Sequence, residues 1–220
     1  MFCCCMADDK TGPPPLPAPE PDHAEAPFTQ MAPAMPSEAA PETPANPDRF
    51  QVTLSRDSPH GLQVDGTDPD CAIVRLIKEG SVAEWNKAST AKRVMVFDRI
   101  LEVNGTSGQA PDLVKALALV DSDTLSITLQ RPLTRMVSLQ KPGEIGVILN
   151  YKKVGSAAPW LSSINSGLLS QWNERKPDQS VKVHDRIVAV NGVTGAPEEL
   201  MLKMKEATSV LDLRILHYGI

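Results

Sequence analysis

The sequence predicts an α+β chain: two small, partly open β-barrels in tandem, each of five to six strands and two helices, behind a disordered N-terminal tail. Three observations predict this. The string Asp98-Arg99-Ile100-Leu101-Glu102-Val103-Asn104-Gly105 returns 87 positions later as Asp185-Arg186-Ile187-Val188-Ala189-Val190-Asn191-Gly192. Proline content and charge change together near residue 50. Around each copy of the string, apolar residues alternate in some stretches and recur at helical spacing in others.

The tail comes first. Residues 1–50 hold twelve of the 20 prolines, with eight acidic residues against two basic ones, Lys10 and Arg49. The remaining 170 residues carry 19 acidic and 20 basic side chains, so the net charge of −5 belongs to the tail. A Pro, Ala and Glu-rich segment with few large apolar side chains buries too little surface to offset chain entropy, and residues 1–47 are read as disordered. Pro13-Pro14-Pro15-Leu16-Pro17-Ala18-Pro19 suits an extended polyproline helix. Without a flanking Arg it reads as a solvated spacer before it reads as an SH3 or WW ligand.

Three of the four cysteines are adjacent, Cys3, Cys4 and Cys5, and Cys71 stands alone. Adjacent cysteines make a poor disulfide framework, and no ligand-spaced His or Cys completes a zinc site. Two readings stand for the cluster, S-acylation or an unmodified tail. Phe2 excludes myristoylation, and only Lys10 is basic nearby. No apolar run is long enough to span a membrane and no h-region follows the start. The expected location is cytoplasmic, peripheral at a membrane where the cluster is acylated. The near-neutral remainder argues against a nucleic-acid partner, whose footprint is a concentrated positive patch.

The repeat extends well beyond its string. Gly80, Trp85, Asn86, Val94 and Val96 match Gly167, Trp172, Asn173, Val181 and Val183 at the same offset, and Gly61-Leu62 matches Gly146-Val147 two positions short of it. Leu113 matches Leu200, and Leu125-Ser126-Ile127 matches Leu211-Asp212-Leu213. Small slips confined to loops are what two copies of one domain produce. The expected domains are residues 49–131 and 133–217.

Within each copy the elements follow in order. Phe50–Leu54, Val137–Leu139 and Leu125–Leu129 alternate as half-buried strands do, and Ile73–Ile77 is a further strand. Asn-Gly after Asp-Arg-Ile is a tight turn closing a strand. Pro111-Asp112 and Pro197-Glu198-Glu199 start helices, where a missing N–H is harmless and the dipole favours acids. Leu113, Leu117 and Val120 continue the first of these helices, and Leu200, Met204 and Ala207 the second. The order per copy is three strands, a short helix, a strand, a longer helix and a strand.

That order, with Asp-x-Ile-x-x-Val-Asn-Gly before the long helix, resembles the PDZ domain twice over, across more than three-quarters of the chain. The resemblance implies two PDZ-like domains that bind protein C-termini or internal extended peptides by strand addition. It places a carboxylate-holding loop at Pro59-His60-Gly61-Leu62 and at Glu144-Ile145-Gly146-Val147. Successive N–H groups there form an anion nest, with Arg56 and Lys141 five residues before each Gly. It gives the groove floors to Leu62 and Val64, and to Val147 and Leu149. The helix walls fall to Leu113 and Leu117, and to Leu200 and Met204, or a residue either side. Three departures stand out: His60 replaces an apolar residue, Phe97 and His184 replace the Gly before the strand Asp, and the first wall position reads as acidic (Asp112, Glu198 or Glu199).

The bland readings are structural. Trp85 and Trp172 read as core plugs. Asp98 and Asp185 read as turn caps paired to Arg, and Cys71 as an inert packed thiol. The scattered histidines give no metal site, and neither a nucleophile elbow nor a phosphate loop is present. No cofactor is expected. The function expected is a non-enzymatic adaptor. The alternatives are a self-associating structural pair with non-functional grooves, or a regulatory subunit of a separate enzyme such as a protease. The oligomeric state is open.

Overall fold

A computed structural model describes residues 48–89, 91–119 and 121–220. The tail, its polyproline run, Cys3, Cys4, Cys5 and Val120 lie outside the described residues. The first repeat runs β1 (Arg49–Ser55), β2 (Leu62–Asp65), β3 (Ile73–Ile77), α1 (Ser81–Ala88), β4 (Arg99–Val103), β5 (Thr106–Ser107), α2 (Ala110–Ala118) and β6 (Thr124–Gln130). The second runs β7 (Leu133–Gln140), β8 (Val147–Asn150), β9 (Trp160–Ile164), α3 (Leu168–Arg175), a 3-10 turn (Pro177–Gln179), β10 (Arg186–Val190), α4 (Pro197–Glu206) and β11 (Val210–His217).

Each repeat builds one antiparallel sheet, in the order β1-β6-β4-β3-β2 with β5 paired to β4, and β7-β11-β10-β9-β8. Neither sheet closes, and β2 and β8 stand at free edges. Alternation sends Val52, Leu54, Leu125, Ile127 and Leu129 into the first core, and Val137, Leu139, Leu211, Leu213 and Ile215 into the second.

The repeated polar residues hold turns. Asn86 and Asn173 each make a two-way bond with the backbone of Val94 and Val181, tying each short helix to the segment that leads into the next strand. Asn104 and Asn191 take positive φ (49° and 47°) before Gly at 79°, the pairing a type I′ turn requires. Their side-chain oxygens accept from the N–H groups of Ser126 and Asp212. Asp98 and Asp185 cap the preceding turn through the N–H groups of Met95 and Lys182. Their side-chain partners are not the adjacent arginines. Asp98 pairs with Arg131 at 2.7 Å, and Asp185 with His217 at 3.0 Å.

Only Arg131 and Pro132 separate β6 from β7, and the two repeats fall within one compact unit. Arg186 crosses to the first repeat and meets Asp65 at 2.6 Å, both side chains fully buried. Asp65 also accepts from Thr67 and from the N–H of Ala157. Cys71, Ile73, Leu216 and Tyr218 form a joint apolar cluster against Phe97, Ala157 and Val188. Tyr218 is buried there and its hydroxyl donates to the Phe97 carbonyl.

This interface accounts for the two departures before the strand Asp. Phe97 and His184 sit at φ 73° and 72°, where a side chain costs about 1–2 kcal/mol that Gly would not. The interface offsets that cost. Phe97 covers the joint cluster, while His184 contacts Asp68 at 3.0 Å and stacks on Trp160 at 6.1 Å.

Candidate functional site

The second repeat carries a groove between β8 and α4. Gly146 turns the chain at φ +78°, and a Cβ there would stand 2.7 Å from the Ser166 carbonyl, so the loop needs Gly. The carbonyls of Glu144, Ile145 and Gly146 accept from Leu168, Leu169 and Asn165 at 2.7–3.0 Å. With its carbonyls held by Asn165 and by the start of α3, the loop offers its N–H groups to an anion. Lys141 lies alongside, its Nζ 3.2 Å from the Gly143 carbonyl. A cavity of about 440 Å³ follows, lined by Lys141, Ile145, Gly146, Val147 and Leu149 on one side and by Met201, Met204 and Lys205 on the other.

Six of the seven residues expected for this groove therefore come together. The exception is Leu200. It is fully buried in the core and borders a separate cavity of about 410 Å³ near Phe97 and Val188. Met201 takes the wall position, because successive helix residues point about 100° apart and Met201 shares a face with Pro197 and Met204.

The first repeat repeats the scaffold with a different loop. Gly61 sits at φ +76°, and the carbonyls of Pro59, His60 and Gly61 accept from Ser81, Val82 and Lys78. Here the imidazole folds back: His60 Nδ1 accepts from the Leu62 N–H at 2.9 Å. Burial, and then the Arg56 charge, hold His60 below the usual imidazole pKa, which keeps Nδ1 free to accept. Arg56 borders a cavity beside His60, and its Nε donates to the Thr124 carbonyl at 3.4 Å.

Leu62 is mostly buried and Val64 half-buried at the groove floor. Leu113 and Leu117 are both core residues. As in the second repeat, the outward position is one residue on, at Val114, which is 42% exposed. The acidic first wall position moves too. Ala110 and Pro111 border the groove's far end, and Asp112 points to solvent. The signal that would have found Val114 and Met201 is their four-residue spacing from Ala110 and Pro197, which the match of Leu113 to Leu200 outweighed.

Of the structural readings, Trp85 and Trp172 pack partly buried against the two cores. Burial pushes the Cys71 thiol up to about 12. Asp68, Asp70 and His184 bring ligand atoms within 4.8 Å of one another, a grouping that sequence spacing did not show. Among the described residues no helix is long and apolar enough to cross a membrane.

Element order, two free-edged sheets and a glycine loop leading into a strand–helix groove define a protein with two PDZ-like repeats. Among solved structures, the chain is similar to the complex of INAD PDZ45 with NORPA CC-PBM. That likeness is 18% identity over 77% of this chain and 91% of that one, at a TM-score of 0.34. INAD PDZ45 in complex with an NG2 peptide is similar at 18% identity, 77% and 89% coverage and a TM-score of 0.32. No family model and no curated protein matches the chain.

Proposed function

We propose that the protein is a non-enzymatic interaction adaptor that binds C-terminal or extended peptides by strand addition. The observation that carries this is the β8–α4 groove. A free strand edge, a glycine loop whose carbonyls are already held, an adjacent Lys141 and an apolar Met201–Met204 wall converge on one cavity. A ligand strand gains main-chain bonds from β8, its carboxylate meets the loop, and its last side chain fills the apolar space between Val147 and Met204. Affinities near micromolar, about −8 kcal/mol, suit such a site.

The test is binding of peptides with free apolar C-termini to the full chain, measured by fluorescence anisotropy beside their amidated forms. Free peptides bind, while amidation or Met201→Glu removes binding. If neither free-ended nor internal extended peptides bind, the adaptor reading fails and a self-associating pair with closed grooves replaces it. The adaptor reading takes Cys3, Cys4 and Cys5 as acyl acceptors that bring it to a membrane surface, supported by their clustering. Hydroxylamine releases the protein from membranes if so, and a wholly soluble protein in its native cell rejects it.

A further inference from the structure

We propose that the first groove takes an internal, extended segment of a partner protein, with an acidic residue upstream of its added strand, and not a chain end. This rests on the strand-addition reading above and separates the two repeats by ligand class. Two independent observations at opposite ends of the groove support it.

At the loop end, the donor that a carboxylate would need is already used. The Leu62 N–H donates to His60 Nδ1, whereas Ile145 at the equivalent position has no acceptor to offer. An arriving carboxylate must displace a partly buried hydrogen bond and then share the site with the imidazole nitrogen's lone pair, which repels it. An internal segment brings no carboxylate and meets no such conflict. Past His60, the residues Arg56, Asp57, Ser58, Pro59 and Leu125 border about 290 Å³ of space into which a chain can continue.

At the far end the groove is lengthened by the other repeat. Val64, Gly66, Ala110 and Val114 share a cavity of about 370 Å³ with Lys152, Val154 and Gly155 from the β8–β9 connection. That connection is held in place. Ser156 Oγ lies 3.0 Å from Thr67 Oγ1 and accepts from the Lys152 N–H, and the Ala157 N–H donates to Asp65. Val154 is 85% exposed on this wall, and Lys152 and Lys153 are exposed beside it. Asp65, next to the lining residues Val64 and Gly66, is buried and fully engaged by Arg186, Thr67 and Ala157. A ligand strand alongside β2 covers only about 13 Å at 3.3 Å per residue. A longer segment running on over Val154 meets apolar surface and then the exposed charges of Lys152 and Lys153, which select an acidic residue there.

The test uses the full chain carrying Met201→Glu, so that the second groove is silent. The probes are two display libraries of the same random segments, one embedded between fixed flanks and one ending in free carboxylates. The embedded library enriches segments with Asp or Glu upstream of apolar residues. Val154→Glu and Lys152→Glu each weaken the enriched segment by about tenfold. His60→Leu strengthens free-ended peptides by about tenfold and leaves amidated ones unchanged. Nitrogen–nitrogen scalar coupling between Leu62 N and His60 Nδ1 reports the closing bond directly.

Tighter binding of free-ended than embedded segments to the chain with intact His60 overturns the proposal. So does indifference of the enriched segment to both loop variants. If neither library enriches while peptides still bind the chain with an intact second groove, this proposal fails and the adaptor reading survives.

Discussion

Removing Asp65 strands a guanidinium. Arg186 is fully buried, and among the described residues it reaches, besides Asp65, only the carbonyls of Ala158 and Cys71, at 3.2 and 3.4 Å, with its Nε unpartnered. Breaking a buried pair from this side costs about 3–5 kcal/mol, against a total stability of about 5–15 kcal/mol for a domain. At a urea slope of about 2 kcal/mol/M, Asp65→Ala lowers the unfolding midpoint by about 1.5–2.5 M. The reverse deletion is milder. With Arg186→Met the Asp65 carboxylate keeps the Thr67 N–H, the Thr67 hydroxyl and the Ala157 N–H, and the expected loss is about 1.5–3 kcal/mol. Asp65→Leu with Arg186→Met recovers more than about 1 kcal/mol relative to Asp65→Ala, because no buried charge is left over. Urea unfolding of the full chain, followed by tryptophan fluorescence, measures all three. Single-variant losses under about 0.5 kcal/mol, or a larger loss for Arg186→Met than for Asp65→Ala, refute the reasoning.

Three further outcomes follow from the same geometry. Leu200→Ala costs about 2–5 kcal/mol of stability through the cavity it leaves, whereas Met201→Ala leaves the urea midpoint nearly unchanged and weakens peptide binding to the second groove. Burial and Arg56 hold His60 below the unfolded value near 6.5, so its contribution is complete above that pH and is lost as pH falls through the folded value. Stability of the parent chain therefore falls below pH 6.5 more steeply than that of His60→Leu, and equal slopes in urea titrations reject the assignment. In a chain whose Cys3, Cys4 and Cys5 are replaced by Ser, the Cys71 thiol, pushed up to about 12, reacts slowly with disulfide reagents at pH 8. Asp65→Ala speeds that labelling by loosening the interface, and fast labelling of the parent chain contradicts the burial.

The lesson about legibility lies in which residues each kind of signal reaches. Short-range rules delivered the elements. Alternation marked β1, β6 and β7, the repeat match marked β11, and Asn-Gly marked both turns with φ near 48° and 79°. The loop glycines were legible because a doubled Gly before a strand asks for a backbone that side chains avoid. The helix walls were legible only to within one residue. Leu113 and Leu200 look like groove residues by their match across the repeat, yet they match because both are core. Similarity between copies reports shared packing and shared turns, and it does not single out the outward-facing Val114 and Met201.

The sequence by itself determined that two like domains follow one another, the order of most of their strands and helices, and which glycines turn the chain. Those features depend on residues close together in the chain or on a pattern that recurs. Only the tertiary structure decided what the exceptions were for. Phe97 and His184 stand in a backbone conformation suited to Gly because the neighbouring repeat offers Tyr218 to the one and Asp68 to the other. Arg186 looks like a partner for Asp185, its neighbour in the repeated string, and instead crosses 121 positions of sequence to Asp65. No local pattern announces such a pairing, because its energy comes from burial between surfaces that meet only after both repeats have folded.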